Sequence, residues 1–145
     1  FGTLSLIIAL GGKISLLTLL GQQDIILACL ALFGAHISSR FTPLFLIRFQ
    51  SHVGDAAGSK SKPLSDSISW PTFSVGAIWW LASLILLHFL YPDVPWWGAV
   101  VGTTITLIWM FRLLARRLGG FTGDGLGATQ QICEIGFYLG LLLVL

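Results

Sequence analysis

Apolar runs dominate the chain, and short polar stretches cut them into five segments: residues 3–20, 24–47, 72–91, 96–114 and 128–145. A helix needs about 20 residues to cross the hydrocarbon core of a bilayer, and each segment is close to that length. The pattern therefore predicts five membrane-spanning helices. The second segment is the least regular. Ser38, Ser39 and Arg40 interrupt it and Pro43 follows, so a broken or kinked helix, or one span plus an interfacial piece, is expected there.

The polar stretches sort by charge. Residues 48–70 carry Arg48, His52, Lys60 and Lys62, and residues 112–120 carry Arg112, Arg116 and Arg117, whereas 21–24 and 91–95 hold no Lys or Arg. Five alternating spans put both basic loops on one side, which the positive-inside rule makes cytoplasmic. Tyr91, Trp96 and Trp97 cluster at the opposite interface, as an aromatic belt does, while Trp79 and Trp80 fall within the third span. Residues 54–69 form a polar loop long enough to close over a site.

Composition agrees with this pattern. The chain is 55 % hydrophobic and 10 % charged, with a mean hydropathy of +0.88, which excludes an ordinary soluble domain. The expected fold is an all-α integral membrane bundle of about five transmembrane helices, a single membrane domain over 1–145. A net charge of +2 argues against a nucleic-acid partner. Cys29 and Cys133 lie in apolar stretches without metal-ligand spacing and are expected to be buried free thiols. The chain starts at Phe1 inside an apolar run, with no basic n-region or cleavage site, so no signal peptide is expected. It reads as a piece whose N-terminal part is absent.

The densest polar feature is Gly119-Gly120-Phe121-Thr122-Gly123-Asp124-Gly125-Leu126-Gly127-Ala128, with five glycines in nine positions between two apolar segments. Irregular backbone at a membrane boundary needs partners for its amides and carbonyls, so a ligand site is expected here. Consecutive amides of such a turn can cradle an anion, and the preceding Arg112, Arg116 and Arg117 suit an anionic ligand. Asp124 reads either as a magnesium ligand, with substrate phosphates completing the shell, or as the cap of the fifth helix. The turn is neither a Walker A motif nor a dinucleotide fingerprint.

Lys13 sits near the middle of the first span, where a cation costs about 2.5–3.5 kcal/mol. It reads as snorkelling, or as facing a polar cavity where it holds a phosphate or pairs a carboxylate. Arg40, between Ser39 and Thr42, reads as a bidentate phosphate ligand or a helix-end anchor. Gln131, Glu134 and Tyr138 share one helix face. A carboxylate inside a span demands a partner: Lys13, Arg40 or a metal for Glu134, or a purely structural interhelical pair. His36 and His88 read as core or interface residues. No Ser–His–Asp or Cys–His arrangement supports covalent catalysis.

The run from Leu118 to Ala128, followed by Gln131 and Glu134, closely resembles the C-terminal signature of the cobalamin synthase family, the adenosylcobinamide-GDP ribazoletransferases. Phe1-Gly2 resembles the end of the family's Gly-Thr-x-Gly turn, with Lys13 at the expected distance. Ser39-Arg40 is similar to the family's Ser-Arg, and Lys60-Ser61-Lys62-Pro63 to a polar loop of some members. The resemblance spans all 145 residues but only the C-terminal part of the family. The family's acidic D-G-x-A-D-x-x-D-G motif, similar to that of CDP-alcohol phosphotransferases, is missing, so the chain alone is expected to be inactive. Some members carry Glu where Gln131 stands.

The resemblance implies Mg²⁺-dependent transfer on the cytoplasmic face of the inner membrane. A ribose hydroxyl of α-ribazole, or of its 5′-phosphate, attacks the cobinamide-bearing phosphate of adenosylcobinamide-GDP, and GMP leaves. Asp124 would hold Mg²⁺, with Lys13 and Arg40 as the other catalytic residues neutralising the pyrophosphate. Thr122, Gly120 and Gly123 would meet phosphate oxygens, Glu134 would contribute to substrate binding, and Lys60 and Lys62 would steer anionic substrates. A small transporter or channel subunit, and a lipid-directed CDP-alcohol phosphotransferase, are the competing readings. The oligomeric state is left open, a homo-oligomer included.

Overall fold

The structure, a computed structural model, describes residues 2–53 and 67–145. Among the described residues there are five helices: α1 (Gly2–Gln23), α2 (Ile25–Phe49), α3 (Trp70–Leu90), α4 (Trp96–Leu118) and α5 (Gly123–Leu142). All five predicted segments are helical. Of the alternatives for the second, a broken helix and a span plus a separate interfacial piece both fail, since α2 is one continuous helix through Pro43. Proline removes the amide that would serve the Ser39 carbonyl, and the Thr42 hydroxyl donates to that carbonyl at 2.8 Å instead. A neighbouring hydroxyl thus satisfies the freed oxygen within the span.

Four helices, α1 to α4, are long and apolar enough to cross a membrane; α5 is not among them. The fifth helix falls outside that set because it carries Thr129, Gln131 and Glu134. It packs against α1, α2 and α4, so its polar residues meet protein instead of lipid. The outward faces of α1 and α3 present Ile7, Ile8, Val75, Ile78 and Trp79, which suits contact with acyl chains. Together these features describe a multi-pass membrane protein.

The tightest seam joins α4 to α5. Gly98 and Gly102 face Gly140 and Gly136, and a Cβ added at any of the four would collide with the opposite backbone. Small residues at four-residue spacing on both helices permit this approach, which gains dispersion contacts where lipid supplies no hydrophobic drive. At the far end of the bundle, Asp24 caps α2 by accepting from the Ile26 amide at 2.8 Å, and the Tyr91 hydroxyl donates to the same carboxylate. That hydroxyl holds the Asp24 carboxyl below its usual range, and the partnership raises the Tyr91 phenol.

Candidate functional site

The glycine-rich turn is shorter and stiffer than its composition implies. Arg116 and Arg117 occupy the last turn of α4, where cations favour the helix dipole. Gly119 ends that helix with φ +78°, the left-handed conformation that glycine adopts without cost. Phe121 then donates to the Ser51 carbonyl at 3.1 Å and its own carbonyl accepts from Val53 at 3.0 Å. A side chain at Gly120 would strike the Ser51 carbonyl, so this glycine serves the close approach of two backbones. By Gly123 the chain is helical again, because the Thr122 hydroxyl accepts from the Gly125 amide at 3.1 Å. Gly123, Gly125 and Gly127 therefore belong to α5.

This arrangement answers the capping question for Asp124: Thr122 is the cap. Asp124 lies in the first turn of α5, exposed and without a hydrogen-bond partner among the described residues. The Gly123 and Asp124 amides are likewise unpartnered among the described residues, as expected of the first turn of a helix. A carboxylate beside two open amides at a positive helix end is a polar rim facing away from the bundle core. Magnesium takes hard oxygen ligands, commonly one or two carboxylates with phosphates and water. Asp124 fits as one such ligand. Among the described residues no group of three His, Cys, Asp or Glu gathers around it or elsewhere.

A second polar cluster lies ten residues further along α5, about 15 Å at 1.5 Å per residue. The Glu134 side chain, 9 % exposed, forms an ion pair with Lys13 of α1, whose ammonium also donates to Gln131 Oε1. Ser39 Oγ donates to the other Glu134 oxygen at 3.2 Å, and His36 Nδ1 lies 3.5 Å from it. Of the partners open to Glu134, the structure selects Lys13. Lys13 does not snorkel. Arg40, next to Ser39, is exposed and has no ion pair among the described residues.

The candidate residues thus divide into a rim (Gly120, Thr122, Gly123, Asp124) and a mid-depth cluster (Lys13, Glu134), with Arg40 pointing outward beside the latter. Lys60 and Lys62 lie outside the described residues. Two smaller expectations need correction. Cys133 is buried but Cys29 is exposed, lining a groove between α1 and α2 with Leu17 and Leu32. His36 and His88, read as core or interface residues, are both exposed and so not core, His88 in the last turn of α3. The sequence reading also missed His36 and Ser39 as companions of Glu134, although their i, i+3 spacing puts both on one side of α2. It missed the Ser51–Val53 backing of the turn as well, because backbone pairing leaves no side-chain signal.

Comparison with known proteins supplies what geometry alone does not. The sequence matches the cobalamin-5-phosphate synthase family model over residues 1–142. It is 44 % identical to an adenosylcobinamide-GDP ribazoletransferase of Albidiferax ferrireducens, over 97 % of this chain and 55 % of the relative. A protein of the same name from Polaromonas naphthalenivorans is 40 % identical over 97 % of this chain and 55 % of its own length. One from Shewanella piezotolerans is 38 % identical over 99 % and 54 %. The chain spans about half the length of the curated relatives it matches. No solved structure matches it.

Proposed function

Because the chain belongs to the cobalamin-5-phosphate synthase family, we propose that it contributes to transfer of adenosylcobinamide phosphate from adenosylcobinamide-GDP to α-ribazole or its 5′-phosphate. A ribose hydroxyl oxygen would bond to the cobinamide-bearing phosphorus while the phosphoanhydride bond to GMP breaks and GMP departs. Phosphoryl transfer asks a protein mainly for positioning and charge neutralisation.

One juxtaposition carries the reading: the exposed Asp124 carboxylate beside the open Gly123 and Asp124 amides, on a turn braced by Ser51 and Val53. The amides and the helix end would meet phosphate oxygens. Asp124 would give one carboxylate to Mg²⁺, whose remaining ligands would be substrate phosphates, water and carboxylates not among the described residues. Bound there, the ion would neutralise phosphate charge. Arg40, exposed and without a counter-ion among the described residues, is available to an anionic group. Lys13 would act through Glu134 and Gln131, fixing α1 against α5. The basic ends of α2 and α4 support a rim on the cytoplasmic face of the inner membrane.

The test is GMP release from adenosylcobinamide-GDP and α-ribazole in membranes carrying the full-length protein, with and without Mg²⁺. The expected result is Mg²⁺-dependent release that falls by about 10²-fold or more in Asp124→Asn, the scale for losing a group that stabilises transition-state charge. Release unchanged by the substitution would leave Asp124 a residue of the α5 first turn only. No release from folded protein would return the mid-depth Lys13–Glu134 pair to a transport role.

A further inference from the structure

A cleft of about 290 Å³ opens on a different face of α2 from the one that meets Glu134, between α2, α3 and α4. Its cause is uneven packing. The Trp80 indole of α3 donates to Ser38 Oγ at 3.1 Å and stacks on Phe41 at a centroid distance of 5.2 Å, so α3 is fastened to α2. It barely touches α4, and no side chains of the described residues fill the gap. Phe41, Phe45, Trp80, Leu107 and Phe111 form the walls.

The hydroxyls along the cleft are already engaged. Ser38 accepts from Trp80, Thr42 donates to Ser39, Thr103 to Ala99 and Thr104 to Val100. The interior therefore asks for an apolar occupant. One end differs. Arg112 lines it, exposed and without a carboxylate partner among the described residues. At the same end Arg48 lies 4.3 Å over the Trp70 ring, with its Nε buried and unpartnered among the described residues.

Lengths agree with one class of ligand. Arg112 stands six residues before the end of α4, about 9 Å along the axis, within reach of the headgroup region by snorkelling. From Arg112 to Thr103 the cleft itself is about 13.5 Å long, close to half of a hydrocarbon core of about 30 Å. Basic pockets between membrane helices on this kind of side select anionic lipid headgroups.

We propose that the cleft between α2, α3 and α4 binds an anionic phospholipid, with one acyl chain against Phe41 and Trp80 and the phosphate on Arg112. This site is independent of the transferase reading and faces away from the Lys13–Glu134 cluster. The lipid fills space that would otherwise lack contacts.

The experiment uses full-length protein in mild detergent, titrated with phosphatidylglycerol or phosphatidylcholine bearing brominated acyl chains, and reads tryptophan quenching. Phosphatidylglycerol should bind about fivefold more tightly, the factor one surface cation supplies. Arg112→Gln should erase that preference and Arg112→Lys keep it. Trp80→Phe should remove the phosphatidylglycerol-selective part of the quenching and leave that of the lipid-facing Trp79 and Trp109. Equal affinity for both lipids would reduce the cleft to ordinary annular solvation and overturn the proposal. Absence of any Trp80 quenching would overturn it too, since protein would then cover the cleft.

Discussion

Glu134 is the residue on which the interior depends. A buried carboxylate carries a desolvation cost of several kcal/mol unless a counter-charge and further donors offset it, and here Lys13, Ser39 and His36 surround it. Lys13→Met should therefore destabilise the fold by about 3–5 kcal/mol, because it strands the carboxylate. Thermal unfolding in detergent should show Lys13→Met combined with Glu134→Gln to be closer to wild type than Lys13→Met alone. Equal losses in the single and double variants would mean that the pair is not coupled. The partnership was half legible in sequence: two ions inside apolar segments had to be neutralised, but nothing in the chain order separated Lys13 from Arg40. Three-dimensional direction decided it. At the far end, Asp24 behaves as a carboxyl with a lowered folded-state pKa. Its contribution is present above the unfolded carboxyl value near 3.9 and disappears as pH falls through the lower folded value. Tyr91, whose pKa is raised, adds stability that is present below about pH 10 and lost as pH climbs through its folded value. Tyr91→Phe should thus lower the melting temperature at pH 7 and converge with wild type in strong acid.

Helix packing explains why the glycines of this chain are not equivalent. Gly98 and Gly102 on α4, and Gly136 and Gly140 on α5, stand where a side chain would meet the opposite backbone. Gly127 lies in α5 with open space around it. Gly102→Ala should disrupt the α4–α5 seam and lower the melting temperature sharply, at the 1–3 kcal/mol or more typical of overpacking. Gly127→Ala should raise stability by about 0.5–1 kcal/mol through helix propensity alone, read in the same melts. If both substitutions behaved alike, close backbone approach would not be what holds these helices. The spacing was present in the sequence all along, but the run at 119–127 is more conspicuous. Most of that run turned out to be the first two turns of α5, because the Thr122 hydroxyl starts the helix five residues before apolar character begins. A cap is one hydrogen bond, and hydropathy does not register it.

Viewed whole, the molecule packs α1, α2 and α4 around the more polar α5, with α3 held on α2. Sequence pattern located all five helices because lipid demands long apolar runs, and α5 alone among them falls short of that apolar character because burial against α1, α2 and α4 relieves the demand. The same architecture fixes a sidedness. The turn at Gly119–Thr122 is bonded to Ser51 and Val53, so the ends of α2 and α4 and the start of α5 share one face with Arg112, Arg116 and Arg117. Asp24 and Tyr91 are bonded at the other. A flipped α3 or α4 would break one of these ties and strand backbone groups where lipid offers no substitute. Single cysteines at Gln22 and Asp93, in a background lacking Cys29 and Cys133, should react with an impermeant thiol reagent added outside spheroplasts. Cysteines at Arg117 and Asp124 should react only after the membrane is opened. The reverse pattern would keep the fold but turn the arginine-rich face outward, and with it the rim around Asp124. Labelling of both ends from one side would break the bundle's alternation itself, since the Asp24–Tyr91 tie and the Ser51–Phe121 tie would no longer lie at opposite ends of the same helices.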